Sequence, residues 1–272
     1  MIYLKILRLP HQILCVIPLF FGILDSGIEF PVYYFLGYLF SSMAGFAINE
    51  YIDSFDTDKF NHRAATGLNK NVVFGILTSL VLLALLAYWT ASTLLLGIIT
   101  ITLMLTYSLP PIRLKKIPVL DIVVQTLAWA VIPYFVPFYI SGQSPNLLPV
   151  IYMIMFLIGA VALAPIADIS ADRQGKIFNS TVVLGYKKSL TLGFFILAFA
   201  LLIGPQLDLW YKIMVPPGML ALGVYGYARG NYDRPEKLEK ILQLGKNWGT
   251  LSGYFLAAIL FILILWQNGW HI

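Results

Sequence analysis

Charge is scarce in this 272-residue chain: 11% of positions are charged and 59% are hydrophobic, with a mean hydropathy of +0.81. Soluble domains carry about a quarter charged residues, so this composition excludes an ordinary water-soluble globule. Cysteine is nearly absent. Cys15 stands alone in an apolar stretch, supports no disulfide framework, says nothing of compartment and reads as a small buried hydrophobe. The three histidines, His11, His62 and His271, are scattered and form neither a Cys/His zinc constellation nor part of a visible Ser–His–Asp set. The opening stretch MIYLKILRLPHQILCVIPLFFGIL has basic residues before an apolar centre but no A-x-A-like cleavage site, so it is read as a first helix.

What the chain has is long apolar runs. A helix needs about 20 apolar residues to cross a bilayer, and nine candidate spans follow, roughly 10–26, 30–52, 72–91, 93–108, 119–140, 147–168, 187–204, 209–228 and 247–267. The connections near 25–30, 90–92 and 141–146 carry no Lys or Arg, and 204–212 carries only Lys212. The other seventeen of the eighteen basic residues fall on the opposite face under this assignment. The positive-inside rule makes that face cytoplasmic, with the N-terminus inside and the C-terminus outside. The net charge of +5 therefore reports topology and not a nucleic-acid partner.

The expected fold is an all-α membrane protein in one domain, residues 1–272. It reads as a coarse parallel repeat of two four-helix blocks, about 1–118 and 119–246, with a ninth helix left over. Acid-bearing connections follow helices 2 and 6, and base-dominated connections follow helices 4 and 8. Gly249 and Gly253 form a GxxxG, and Ser41, Ser42, Ala44 and Gly45 line the second span, a pattern that favours close helix contact.

The acids carry the chemistry. Asn49, Asp53 and Asp56 are spaced i, i+4, i+7 and share a stripe on a continuing helix, while Asp58 points away. Asp168 and Asp172 repeat the i, i+4 spacing after the sixth span. Aligned carboxylates repel, and helix C-termini disfavour anions, so two such clusters on one boundary imply a shared cation. Oxygen donors suit a hard ion, and Mg²⁺ is usually held by a few carboxylates plus substrate phosphates. Pro110 and Pro111 stop the fourth helix and present Tyr107, Arg113 and Lys115, while Arg173 and Lys176 follow the second acid pair. Metal with Arg and Lys is the arrangement that neutralises a diphosphate as it leaves.

Three segments, in order, carry a resemblance: N49-E-Y-I-D53-S-F-D56, Y107-S-L-P-P-I-R113-L-K115, and D168-I-S-A-D172-R-Q-G175-K176 with T181-V-V-L-G185 after it. Together they resemble the aspartate-rich motifs and basic connection of the UbiA-type intramembrane prenyltransferases. The resemblance implies nine helices around a lipid-open central cavity. It also implies two Mg²⁺ ions bridging the Asp motifs to a prenyl diphosphate, and attack on the resulting allylic cation by a lipophilic acceptor. It carries metal-ligand roles onto Asn49, Asp53, Asp168 and Asp172, and makes Lys59, Arg63, Tyr107, Arg113, Lys115, Arg173 and Lys176 diphosphate candidates. The family's next Asp falls here on Thr57, between Asp56 and Asp58; Asp56 keeps the stripe. The family's basic-proline stretch is replaced by N61-H-R-A-A-T-G-L.

Asp121, in I117-P-V-L-D121, admits two readings: helix N-terminal capping, or a proton-accepting, acceptor-binding group of the catalytic set with Asp53, Asp168 and Asp172. Similar P-x-L-D and D-I-x-A-D-R stretches resemble carotenoid-elongating members of that family, which would make the acceptor an isoprenoid instead of an aromatic. Tyr51, Trp129, Tyr134 and Phe135 offer π-faces to a carbocation. N179-S-T matches a glycosylation sequon but lies on the expected cytoplasmic face and is disregarded. Competing readings are a cyclase of the same family, which needs no acceptor, and a cation-coupled transporter. Transport sites usually sit near the midplane on broken helices, whereas these acids lie at the edge.

Overall fold

The computed structural model describes residues 6–56, 69–161, 163–231 and 234–269, and these form helices joined by turns, with no strand among the described residues. The first apolar run is two helices, α1 (Leu9–Cys15) and α2 (Ile17–Ser26), divided at Val16 because Pro18 starts a new first turn. Then come α3 (Val32–Asp56), α4 (Lys70–Thr90) and α5 (Leu94–Ser108). A tight turn, Leu114–Lys116, leads to α6 (Leu120–Thr126), which runs through a π-helical stretch, Leu127–Val131, into α7 (Ile132–Ser141). The remainder is α8 (Leu147–Val161), α9 (Leu163–Ala167), α10 (Ile169–Gln174), α11 (Ser180–Ile203), α12 (Leu209–Lys212), α13 (Val215–Arg229) and α14 (Pro235–Gln267).

Local chemistry sets these limits. The Asn69 side chain accepts the N–H groups of Asn71 (2.9 Å) and Val72 (3.4 Å), capping α4. Helices α2 and α7 end on Gly27 and Gly142, both with positive φ. The last helix begins well before the expected 247, because residues 235–246 carry too much charge to register as apolar. Leu238 and Leu242, one turn apart, are nonetheless fully buried and hold that extension down.

Four helical stretches, Lys70–Thr90, Leu120–Ser141, Ser180–Gln206 and Lys240–Gln267, are long and apolar enough to cross a membrane. Large apolar side chains such as Leu86, Trp89, Leu95, Phe195, Leu202 and Phe255 are exposed on them and their neighbours. Water would not tolerate that surface; lipid does. Contacts between helices run in a circuit: α3 against α4 and α5, α5 against α6, α6 against α8, α8 against α11, α11 against α13, α13 against α14, and α14 back against α1 and α2.

Tyrosine hydroxyls tie the bundle internally, since a polar group in hydrocarbon must find a protein partner. Tyr134 on α7 donates to Asp25 Oδ2 of α2 (2.6 Å), and Tyr211 on α12 bonds the same oxygen. Tyr225 on α13 donates to the Gly159 carbonyl on α8 (2.5 Å). Gly159 also lets α8 pack closely on α11: a Cβ there would lie 2.9 Å from the Leu197 Cα. The expected GxxxG is only half used, because Gly253 packs on Leu14 while Gly249 faces open space. Gly159→Ala should therefore force α8 and α11 apart and cost about 1–3 kcal/mol, read as a lower thermal unfolding midpoint in detergent.

Candidate diphosphate and metal site

The site is built where α3, α5, the 109–119 connection and α10 meet. On α3, Asn49 and Asp53 sit one turn apart, and Asn49 Nδ2 donates to Asp53 Oδ2 (2.9 Å). From α5, Ser108 Oγ donates to Asn49 Oδ1 (2.6 Å). Pro110 and Pro111 end that helix, Arg113 takes a left-handed backbone (φ 44°), and the following turn throws Lys115 inward. Lys115 Nζ donates to Asn49 Oδ1 (2.9 Å) and forms an ion pair with Asp53 Oδ1. Arg113 Nη2 lies 3.6 Å from the same carboxylate oxygen. Burial lowers the Lys115 pKa below the ordinary lysine value, against the opposing pull of Asp53.

The second cluster faces the first. Asp168 occupies the turn between α9 and α10, and its carbonyl accepts the Asp172 N–H (2.9 Å), so the i, i+4 spacing holds as one helical turn even though the long helix is broken there. Asp172 lies within electrostatic range of Lys115 and Asp53. Its carboxyl is pushed up to about 7, first by burial and further by the negative charges of Asp168 and Asp53. The hydrogen bond from Asn179 and the charge of Lys115 oppose that rise. Tyr107 stands within range of Asp53, Asp121 and Asp172, and its hydroxyl accepts from Gln125 Nε2 (2.5 Å). Arg173 and Lys176 are exposed on the rim.

Asp56 is the last residue of α3, so its backbone keeps the register of the Asn49–Asp53 stripe; its side chain, and Asp58, Lys59 and Arg63 entirely, lie outside the described residues. Among the described residues no three His, Cys, Asp or Glu side chains gather into a cation cage. The donor chemistry still fits a hard divalent ion: amide and carboxylate oxygens in two facing halves, with a lysine ammonium already compensating one half. Such an ion commonly takes its remaining ligands from substrate phosphates and water.

Residues 16–248 match the model of the UbiA prenyltransferase family. The chain belongs to that family. No curated protein matches it in sequence. In fold it is similar to a UbiA homologue from Archaeoglobus fulgidus bound to GPP and Mg²⁺, with 17% identity, a TM-score of 0.67, and coverage of 95% of this chain and all of the other. The same figures hold for that homologue bound to DMAPP and Mg²⁺. The apo form of a UbiA homologue from Aeropyrum pernix K1 gives 15% identity and a TM-score of 0.67 over 93% of this chain and 97% of the other. With the exposed apolar helices, family membership makes this an integral membrane protein.

Two participants escaped the sequence reading. Ser108 lay inside a quoted motif but had no visible partner. Asn179, whose Nδ2 donates to Asp172 Oδ2 (2.7 Å), had been read only as a sequon residue. Its signal was its place before S-T-V-V, as the cap of α11. Of the aromatics, Trp129 packs at a tilt against Phe46 (centroids 5.1 Å apart), which lies one turn from Asn49 along α3, whereas Tyr51 meets Phe74 and Tyr134 serves Asp25.

Removing one partner of a buried ion pair costs about 3–5 kcal/mol, and side-chain exposures of 8% for Lys115 and 16% for Asp53 put this pair near that regime. Lys115→Met is expected to lower the thermal unfolding midpoint of the metal-free protein. Mn²⁺ should restore more of the loss than it adds to the wild type.

Proposed function

We propose that this protein is a Mg²⁺-dependent prenyltransferase, moving an isoprenyl group from a prenyl diphosphate to a lipophilic acceptor within the membrane. The observation that carries the reading is the convergence of Asn49–Asp53 and Asp168–Asp172 around Lys115 and Arg113. Two anionic halves with fixed cations between them suit a ligand that is itself polyanionic and arrives with metal. Family membership, and the GPP, DMAPP and Mg²⁺ bound by the Archaeoglobus fulgidus homologue, support the same class of donor.

In this reading Asn49, Asp53, Asp56, Asp168 and Asp172 hold Mg²⁺, two ions in all. A metal held by these residues would neutralise the diphosphate and stabilise its charge on leaving. Lys115 and Arg113 bind the diphosphate oxygens from the 109–119 connection, and Tyr107 adds a hydroxyl. Arg173 and Lys176 draw the anion in from the rim, with Lys59 and Arg63 completing the basic set. Phe46 and Trp129, which pack on one another about one turn from Asn49, would offer π-faces to the allylic cation, within the lipid-open central cavity that the family resemblance implies. The nine-span topology with a cytoplasmic N-terminus and site, and the two four-helix blocks, complete the reading.

Purified protein in nanodiscs, given C10 to C20 prenyl diphosphates, should release diphosphate only with Mg²⁺. Asp53→Ala and Asp168→Ala should each abolish that release, and full activity in both would overturn the assignment. Product that forms only with native lipid extract supports transfer to an acceptor; product without extract would mean cyclisation instead.

A further inference from the structure

Asp121 is 5% exposed, and each of its oxygens accepts a hydrogen bond from Ser180. Ser180 Oγ donates to Asp121 Oδ1 (2.5 Å), and the Ser180 N–H donates to Asp121 Oδ2 (3.0 Å). Ser180 Oγ in turn accepts the Val119 N–H (2.7 Å). Val119 is β-branched yet has φ 73°, a backbone that persists only where surroundings impose it. A single serine hydroxyl thus joins the end of the 109–119 connection to the start of α11.

The next residue back extends the chain of contacts. Asn179 Oδ1 accepts the Val182 N–H (2.9 Å) and the Thr181 hydroxyl (2.8 Å), which fixes the amide plane. That leaves Nδ2 aimed at Asp172 Oδ2 (2.7 Å). Asn179 is 9% exposed, so water does not readily replace the bond. The path runs without a gap from Asp121 through Ser180 and Asn179 to the second acidic motif.

We infer that Asp121, Ser180 and Asn179 form a clasp that positions Asp172 for metal binding, and that Asp121 acts through it as a positioning residue. Each oxygen accepts a hydrogen bond from Ser180, so the carboxylate anchors the backbone that carries Asn179. The clasp also ties Lys115's connection to Asp172's, so that both halves of the site keep one geometry. This rests on the metal-dependent reading above.

Loss of a group that orients a metal ligand typically costs 10- to 100-fold in metal affinity. Asp121→Asn, Ser180→Ala and Asn179→Ala are therefore each expected to raise the Mg²⁺ concentration for half-maximal diphosphate release at least about tenfold. KM for the prenyl diphosphate at saturating Mg²⁺ should move far less. Mn²⁺ binding followed by electron paramagnetic resonance should weaken in parallel, without turnover. Ser180→Thr, which keeps the hydroxyl, should recover the wild-type Mn²⁺ titration, and Asp121→Asn with Asn179→Ala should be no worse than Asn179→Ala alone. A fall in kcat at every Mg²⁺ concentration, with an unchanged Mn²⁺ titration, would show Asp121 reacting directly and overturn the clasp. So would variants that titrate like wild type. If wild type itself neither binds Mn²⁺ nor releases diphosphate, the functional reading fails, which is a separate result.

Discussion

The ion pair between Lys115 and Asp53, braced by Asn49, is the contact on which the site depends. An exposed pair of this kind would contribute little. Here both groups are largely withdrawn from water, so neither can be left alone without a large penalty. That penalty explains the course of the chain after α5. Two prolines end the helix, Arg113 accepts a left-handed backbone, and Lys115 turns in while Lys116 remains only half-buried. Ser108, the last residue of α5, then donates to the same amide oxygen as the lysine. The connection is held by the acid motif as much as the motif is held by the connection.

The asymmetry between the two acidic halves follows. Asp53 is compensated by full charges, Lys115 and Arg113, whereas the hydrogen bond on Asp172 comes from the neutral amide of Asn179. Burial first, and the charges of Asp168 and Asp53 after it, push the carboxyl at 172 up to about 7, against the opposing Asn179 bond and Lys115 charge. In the first half, Asp53 is paired directly with cationic side chains.

Hydropathy made the long apolar helices legible, four of which are long and apolar enough to cross a membrane, because lipid imposes one simple rule on long segments. It was blind where that rule stops. The charged turns at the start of α14 are helical, and α11 begins at Ser180, ahead of a break at Gly185 (φ 72°) that no apolar count detects. The Asn49–Asp53–Asp56 stripe was legible because period 3.6 is a local property, and α3 does run through Asp56. Partners across the bundle were not. Lys115 was visible as a basic residue in a basic connection, but its engagement of Asn49, 66 residues away, depends on how α3 and α5 pack. Asp121 left two readings open for the same reason: Ser180 lies 59 residues on, and nothing local to Asp121 points to it.

The two polar centres use different chemistry because they sit in different surroundings. At one end of the bundle Asp25 is held by tyrosine hydroxyls, neutral donors that are buried with little penalty and are already part of packed aromatic faces such as Phe21 against Tyr211. At the other, charged side chains on turns do the holding. Three of the five described non-glycine residues with positive φ, Arg113, Val119 and Lys176, fall on those turns. Backbone irregularity is readily tolerated there, where side chains and water can satisfy what the helix leaves open. Helices provide the fixed spacing between the ends, while the connections carry the groups that meet a ligand. A site made this way changes its ligand by changing turns, and it stays rigid only if the turns are tied to one another. The Asp121–Ser180 contact, made at the base of two such turns, is where that tie can be made without occupying the site itself.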